Sequence, residues 1–150
     1  MTFTYNYPRP AVTADIIILK TINNDLSVLL IERKHPPFEG MWALPGGFMD
    51  MDETLEDTAL RELHEETGIT GIQLEQFHTF SKVNRDPRHR TITTVFIGYS
   101  GDNTATPKAG DDAANVQLFA IDNLPPLAFD HKEVMEMVKK KFAGTDMKQL

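Results

Sequence analysis

Three glutamates and an arginine crowd one short stretch of this chain at helical spacing. Glu62, Glu65 and Glu66 stand at i, i+3 and i+4, which sets three carboxylates on one side of a helix. Arg61 lies four residues before Glu65 and eight after Glu53, so it can bridge and orient both. Like charges at this spacing repel by about 0.2–0.5 kcal/mol per pair. They also sit near the C-terminal, negative end of the helix, where anions are disfavoured. A hard divalent cation would relieve both penalties. Oxygen donors at this density suit Mg²⁺ or Mn²⁺, which bind through a few carboxylates, water and substrate phosphates. The turn Pro45-Gly46-Gly47 ahead of the helix would let a backbone carbonyl reach the metal or the substrate. The chemistry implied is metal-assisted hydrolysis of an anionic substrate. The plainer alternative is a solvated acidic helix face. The glycine pair and the embedded arginine favour a site.

The elements that must hold these groups can be read around them. Thr54 is an N-cap with Asp57 three residues on, close to a capping box. Gly68 suits a left-handed C-terminal stop. Leu55, Ala59 and Leu63 form the buried stripe of the helix. Before it, residues 1–10 read as an extended arm with Pro8 and Pro10. Ala11–Lys20 and Ser27–Arg33 read as a strand hairpin turning at Asn23-Asn24-Asp25, and 34–44 as a loop. After the helix come strands at 72–80, 91–99 and 115–121, and a second helix over 129–142. Val134, Met137, Val138 and Phe142 supply the apolar stripe of that helix, and the tail from Gly144 is expected to fray. Strands dominate and two helices accompany them. The class is α+β (mixed α/β), in one domain spanning 1–150.

Composition bounds the function. The chain has 150 residues, a net charge of −7 and no cysteine. Disulfides, thiol catalysis and cysteine-ligated metals are excluded, which fits a cytoplasmic protein. No basic-then-apolar leader opens the sequence, and the aliphatic run Ile16–Leu19 is far too short to cross a bilayer. The negative charge disfavours a nucleic-acid backbone as partner. A small anionic molecule stays open if local cations or metal overturn the repulsion.

The stretch from Gly47 to Ile69 resembles the Nudix box, G-x5-E-x7-R-E-U-x-E-E-x-G-U, where U is a bulky aliphatic residue. Gly47, Glu53, Arg61, Glu62, Leu63, Glu65, Glu66, Gly68 and Ile69 fill its fixed positions. The resemblance implies an α/β/α sandwich with a mixed β-sheet between helices. It implies hydrolysis of a nucleoside diphosphate linked to another group. By the same resemblance Glu62, Glu65 and Glu66 would be metal ligands, with the Gly46 carbonyl beside them, and Glu53 would join through water or Arg61. Two or three Mg²⁺ would neutralise a pyrophosphate and activate a water. The base that removes its proton varies among such enzymes: Glu65 is one candidate, Asp111 or Asp112 another. Relatives are often homodimers, and the N-terminal arm could take part in one.

Substrate choice falls to other stretches. Arg85, Arg88 and Arg90 sit in one loop of an otherwise acidic chain, and arginine binds phosphate edgewise and stacks on bases. The plainer reading is a solvated basic loop. That run, the GDDA before the last strand and the LAFDH opening the last helix resemble the ADP-ribose pyrophosphatase branch of the family. Phe38, Trp42, Phe48 and Phe80 flank the stretch and could hold an adenine or simply pack. The five histidines show no zinc spacing and read as incidental. Three functions follow as expectations: hydrolysis of ADP-ribose to AMP and ribose 5-phosphate; hydrolysis of a nucleoside triphosphate or dinucleotide; or ligand sensing without catalysis. The sensing reading expects a winged-helix domain, which these 150 residues do not contain, and a damaged box, whereas this one is intact.

Overall fold

The computed structural model describes residues 2–101, 108–110 and 113–145. Its frame is one mixed sheet built on two long buried strands. β1 (Ala11–Ile22) and β2 (Asp25–Arg33) form a hairpin through Asn23 and Asn24, whose φ values of 50° and 69° are those of a tight turn matched to strand twist. The pair stays in register only near the turn, from Leu19↔Val28 to Ile22↔Asp25. Beyond it the strands splay apart. The wedge between them takes β3 (Trp42–Ala43), which pairs with β2, and β4 (Gly46–Phe48), which pairs with β1. Gly46-Gly47, expected as a turn, is therefore strand. So is part of the expected 34–44 loop. Elements of two and three residues carry no periodic signal, and only the open fork of the hairpin creates them.

The helix α1 (Leu55–Thr67) follows, then β5 (Glu75–Phe80), β6 (Thr91–Tyr99), β7 (Ala113–Ala120) and α2 (His131–Phe142). β6 runs parallel to β1 along nine residue pairs, β5 extends the sheet antiparallel to β6, and β7 lies antiparallel to β2. The period-two alternation of β1 sends its side chains to two cores. Ala14, Ile16 and Ile18 pack with Ala59 and Leu63 of α1, whereas Ile17 and Leu19 pack with Val134, Met135, Val138 and Phe142 of α2. One helix covers each face, giving the α/β/α arrangement and the α+β class expected. The caps of α1 form as the sequence requires. The Thr54 hydroxyl accepts from the Asp57 N–H at 3.1 Å, the Asp57 carboxylate accepts from the Thr54 N–H at 3.0 Å, and Gly68 closes the helix at φ 73°. Both ends of the carboxylate helix are thus held without help from a ligand.

Candidate active site

At one end of the sheet, between α1 and the start of α2, lies a cavity of about 420 Å³. One wall is the carboxylate face of α1. Glu66 is buried, and one of its oxygens accepts the Gly46 N–H at 2.9 Å. Glu62 lies directly over Gly47, where any Cβ would overlap its carboxyl group. The pairing of β4 with β1 brings the glycines here, and their lack of side chains is what lets α1 approach.

Arg61 organises this wall. Its Nη1 donates to Glu62 at 2.7 Å and to Glu65 at 3.3 Å. Its Nη2 donates to Glu53 at 2.9 Å and to the Phe48 carbonyl at 2.9 Å, and its Nε donates to Glu53 as well. The expected bridge between Glu53 and Glu65 is thus observed. The hydrogen bonds from Arg61 hold the Glu53 carboxyl down at about 2, helped by the Asp50 N–H and the Thr58 hydroxyl. The same bonds push the Arg61 guanidinium above its ordinary value. Glu65 points outward, with its side chain 55% exposed, and does not line the cavity.

Among the described residues no three acidic or imidazole groups converge into a ready-made ligand set. The donor chemistry nevertheless fits a hard cation. Glu62, Glu66 and the bare backbone at Gly46 and Gly47 share one wall, in a cradle that a single Cβ would fill. Arg61 holds Glu62 with the positive charge that a cation would otherwise supply.

The opposite wall comes from the 81–90 loop and the start of α2. Its three arginines part company here. Arg85 is buried, and its fork is spent on Asp130 at 3.0 and 2.8 Å, with Asp15 3.8 Å away. Arg85 still lines the cavity, as expected of a substrate-binding residue, but with its fork committed to Asp130. Among the described residues the Arg90 side chain reaches only the Lys82 carbonyl, at 3.4 Å, and lies outside the cavity. Arg88 lines the cavity, fastened to Asp86 at 3.1 and 2.8 Å. Burial pushes the Asp86 carboxyl up, but the Arg88 contacts outweigh it and leave it below its ordinary value.

The aromatic candidates divide the same way. Phe48 lines the cavity, half-exposed. Trp42 does not: it packs edge-on against Phe119 at 4.8 Å in the α2-side core, because its place opposite Glu32 in β3 turns it there. Phe80 also packs into that core and lies away from the cavity. Asp111 and Asp112 lie outside the described residues. The flanking backbone is tied to the C-terminal end of α1, with Lys108 and Gly110 donating to the Thr67 and Glu66 carbonyls at 2.9 and 3.0 Å.

Sequence reasoning missed Asp15, Arg33, His131 and Phe129, all of which line the cavity. The histidine read as incidental is built in: His131 Nδ1 accepts the Leu44 N–H at 3.0 Å, which leaves Nε2 facing Asp15 at 3.7 Å. Burial pushes the Asp15 carboxyl up, but His131, the Thr93 hydroxyl and Arg85 together hold it below its ordinary value. The one available signal was the LAFDH match, which contains Phe129, Asp130 and His131.

The chain matches the NUDIX domain model over residues 10–138. It belongs to the Nudix family. Members of this family are hydrolases that generally work with a divalent metal. Along the sequence it is 44% identical over 131 residues to a protein of Methanocaldococcus jannaschii named ADP-ribose pyrophosphatase, covering 87% of this chain and 73% of that one. In structure it resembles the NUDIX domain of Shewanella oneidensis NrtR complexed with ADP ribose, at 30% identity and a TM-score of 0.84, covering 91% of each. It also resembles a bifunctional NMN adenylyltransferase/ADP ribose pyrophosphatase of Francisella tularensis complexed with AMP and a Mn ion. There the identity is 28% and the TM-score 0.76, and the match covers 91% of this chain but 43% of that longer one. The Nudix box expected at Gly47–Ile69 is the α1 wall of the cavity. No described helix is long and apolar enough to cross a membrane.

Proposed function

We propose that this Nudix hydrolase splits ADP-ribose into AMP and ribose 5-phosphate, using Mg²⁺ or Mn²⁺. The observation that carries the reading is one cavity with two unlike walls: carboxylates and bare glycine backbone on α1, arginines and aromatic rings opposite. The similarity to proteins named for ADP-ribose supports the choice of substrate.

In this reading Glu62 and Glu66 would hold the metal from the α1 wall, with the Gly46 carbonyl adding a backbone oxygen and Glu65 joining from the rim. The bound cation would supply neutralisation of the pyrophosphate and activation of the attacking water. Arg61 keeps Glu53 ionised and aligns it with Glu62 and Glu65. Glu65, exposed and held by one contact to Arg61, could instead turn from the metal and take the water's proton; Asp112 is the other candidate base. Water adds to phosphorus, the bridging P–O bond breaks, and each product carries one phosphate. Arg88 faces the substrate from the opposite wall with Phe48 beside it. The absence of cysteine fits action in a reducing cytoplasm, and the net charge of −7 argues against nucleic acid as partner.

The test is a panel of nucleotides assayed with Mg²⁺ by chromatography of the products. ADP-ribose should be turned over well ahead of dGTP and of dinucleotides. Equal turnover of dGTP would move the chain to the triphosphate reading. ADP-ribose binding with no hydrolysis under any divalent cation would make it a sensor.

A further inference from the structure

The wall opposite α1 is made of planar groups, and Phe129 is at its centre. The Arg33 guanidinium lies over its ring at 4.8 Å and that of Arg88 at 5.6 Å. Arg88 also lies 5.1 Å over Phe48, and Phe38 meets Phe129 edge-on at 4.9 Å. Both guanidiniums are anchored by hydrogen bonds that fix their planes. Arg88 is fastened to Asp86, and Arg33 Nε donates to the Pro37 carbonyl at 2.7 Å. Both are therefore held as charged plates beside an aromatic ring, a setting that favours stacking over edgewise grip of a phosphate.

The backbone points the same way. Phe129 has φ 52° and Phe38 has φ 61°, in a region that bulky residues avoid. Such conformations persist where the surroundings impose them, and they cluster at ligand clamps. Around Phe129 the surroundings are explicit. The Ala128 N–H donates to the Trp42 carbonyl at 2.8 Å, Asp130 is gripped by Arg85, and His131 accepts from Leu44. Residues on both sides are pinned, and the ring between them is held against the cavity.

We propose that Phe129 is the centre of the nucleobase platform of this cavity: the base stacks on the layer that its ring forms with the Arg33 and Arg88 guanidiniums, with Phe48 bounding the slot. The proposal rests on the nucleotide reading above and sets a direction within it. The pyrophosphate lies toward Glu62 and Glu66, the base toward Phe129. The terminal ribose has no planar face and is not what this wall selects. Every base has a π-face, so the slot accepts hypoxanthine or guanine about as well as adenine.

The experiment measures equilibrium binding of AMP, GMP and ribose 5-phosphate to the full chain by calorimetry, for the wild type, Phe129→Gly, Phe129→Leu and Phe48→Leu. Glycine accepts the positive φ without strain, so Phe129→Gly should not lower the melting temperature, as loss of a purely structural ring would. Its AMP and GMP affinities should fall roughly tenfold to a hundredfold, with ribose 5-phosphate binding unchanged. Phe129→Leu keeps apolar bulk and should lose AMP affinity too, and the half-exposed Phe48 should show a smaller loss. Wild-type affinity for AMP in both Phe129 variants, or a wild type that binds no AMP, would overturn the proposal. If AMP binding depends on Phe129 while ADP-ribose is not hydrolysed, the platform stands and the substrate reading fails. If ADP-ribose is hydrolysed while AMP binding ignores Phe129, the platform fails alone.

Discussion

Breaking the Arg85–Asp130 pair should destabilise the fold, and removing both partners should restore much of the loss. The two side chains are 3% and 7% exposed, and they meet through two bonds. Asp130→Asn takes away the charge and one strong acceptor while leaving the guanidinium buried. Removing one partner of a buried pair costs roughly 3–5 kcal/mol. Asp15, 3.8 Å away, offers partial compensation, so the lower end of about 3 kcal/mol is expected. For a chain of this length about 3 kcal/mol corresponds to a melting temperature lower by roughly 6–12 °C. The double variant Arg85→Met, Asp130→Leu leaves no orphaned charge and should lose much less, because well-packed apolar replacements of buried pairs are often neutral. Urea denaturation of Arg85→Met, Asp130→Leu and the double variant closes the cycle. Single variants within 0.5 kcal/mol of wild type, or a double variant no better than the worse single, would refute the assignment of Arg85 as a buried structural cation.

Two further outcomes follow from the α1 wall. The Glu53 carboxyl titrates at about 2 when folded, below its ordinary value, so its stabilisation is present above the unfolded pKa and lost as pH falls through that window. The melting-temperature gap between wild type and Glu53→Gln should therefore be constant from pH 5 to 8 and shrink progressively as pH falls from 4.5 toward about 2. Gly47→Ala places a methyl where the Glu62 carboxyl now lies. Hydrolysis should drop by about a hundredfold with the fold intact by circular dichroism, since such a displacement misplaces the metal wall.

What could be read in advance follows physical scale. The α1 caps, the buried faces of β1 and the box were legible because local rules and period fix them. The wedge strands β3 and β4 were not, since they exist only where the hairpin opens. Arg85, Arg88 and Arg90 look alike in one loop; the acceptor that separates Arg85 from the others is 45 residues further along the chain. Trp42 and Phe80 turn inward through strand register, which composition does not reveal. Phe129 was marked only by the LAFDH match, because its exposure to the cavity depends on clamps from Trp42, Leu44 and Arg85.

The most direct test of the account is the Mg²⁺-dependent rate of ADP-ribose hydrolysis by Glu66→Gln. Glutamine can still accept the Gly46 N–H, so the fold and the cavity should persist while one metal-holding charge is lost. The kcat should fall by about a hundredfold or more at saturating Mg²⁺. A variant that hydrolyses ADP-ribose at the wild-type rate would contradict the account.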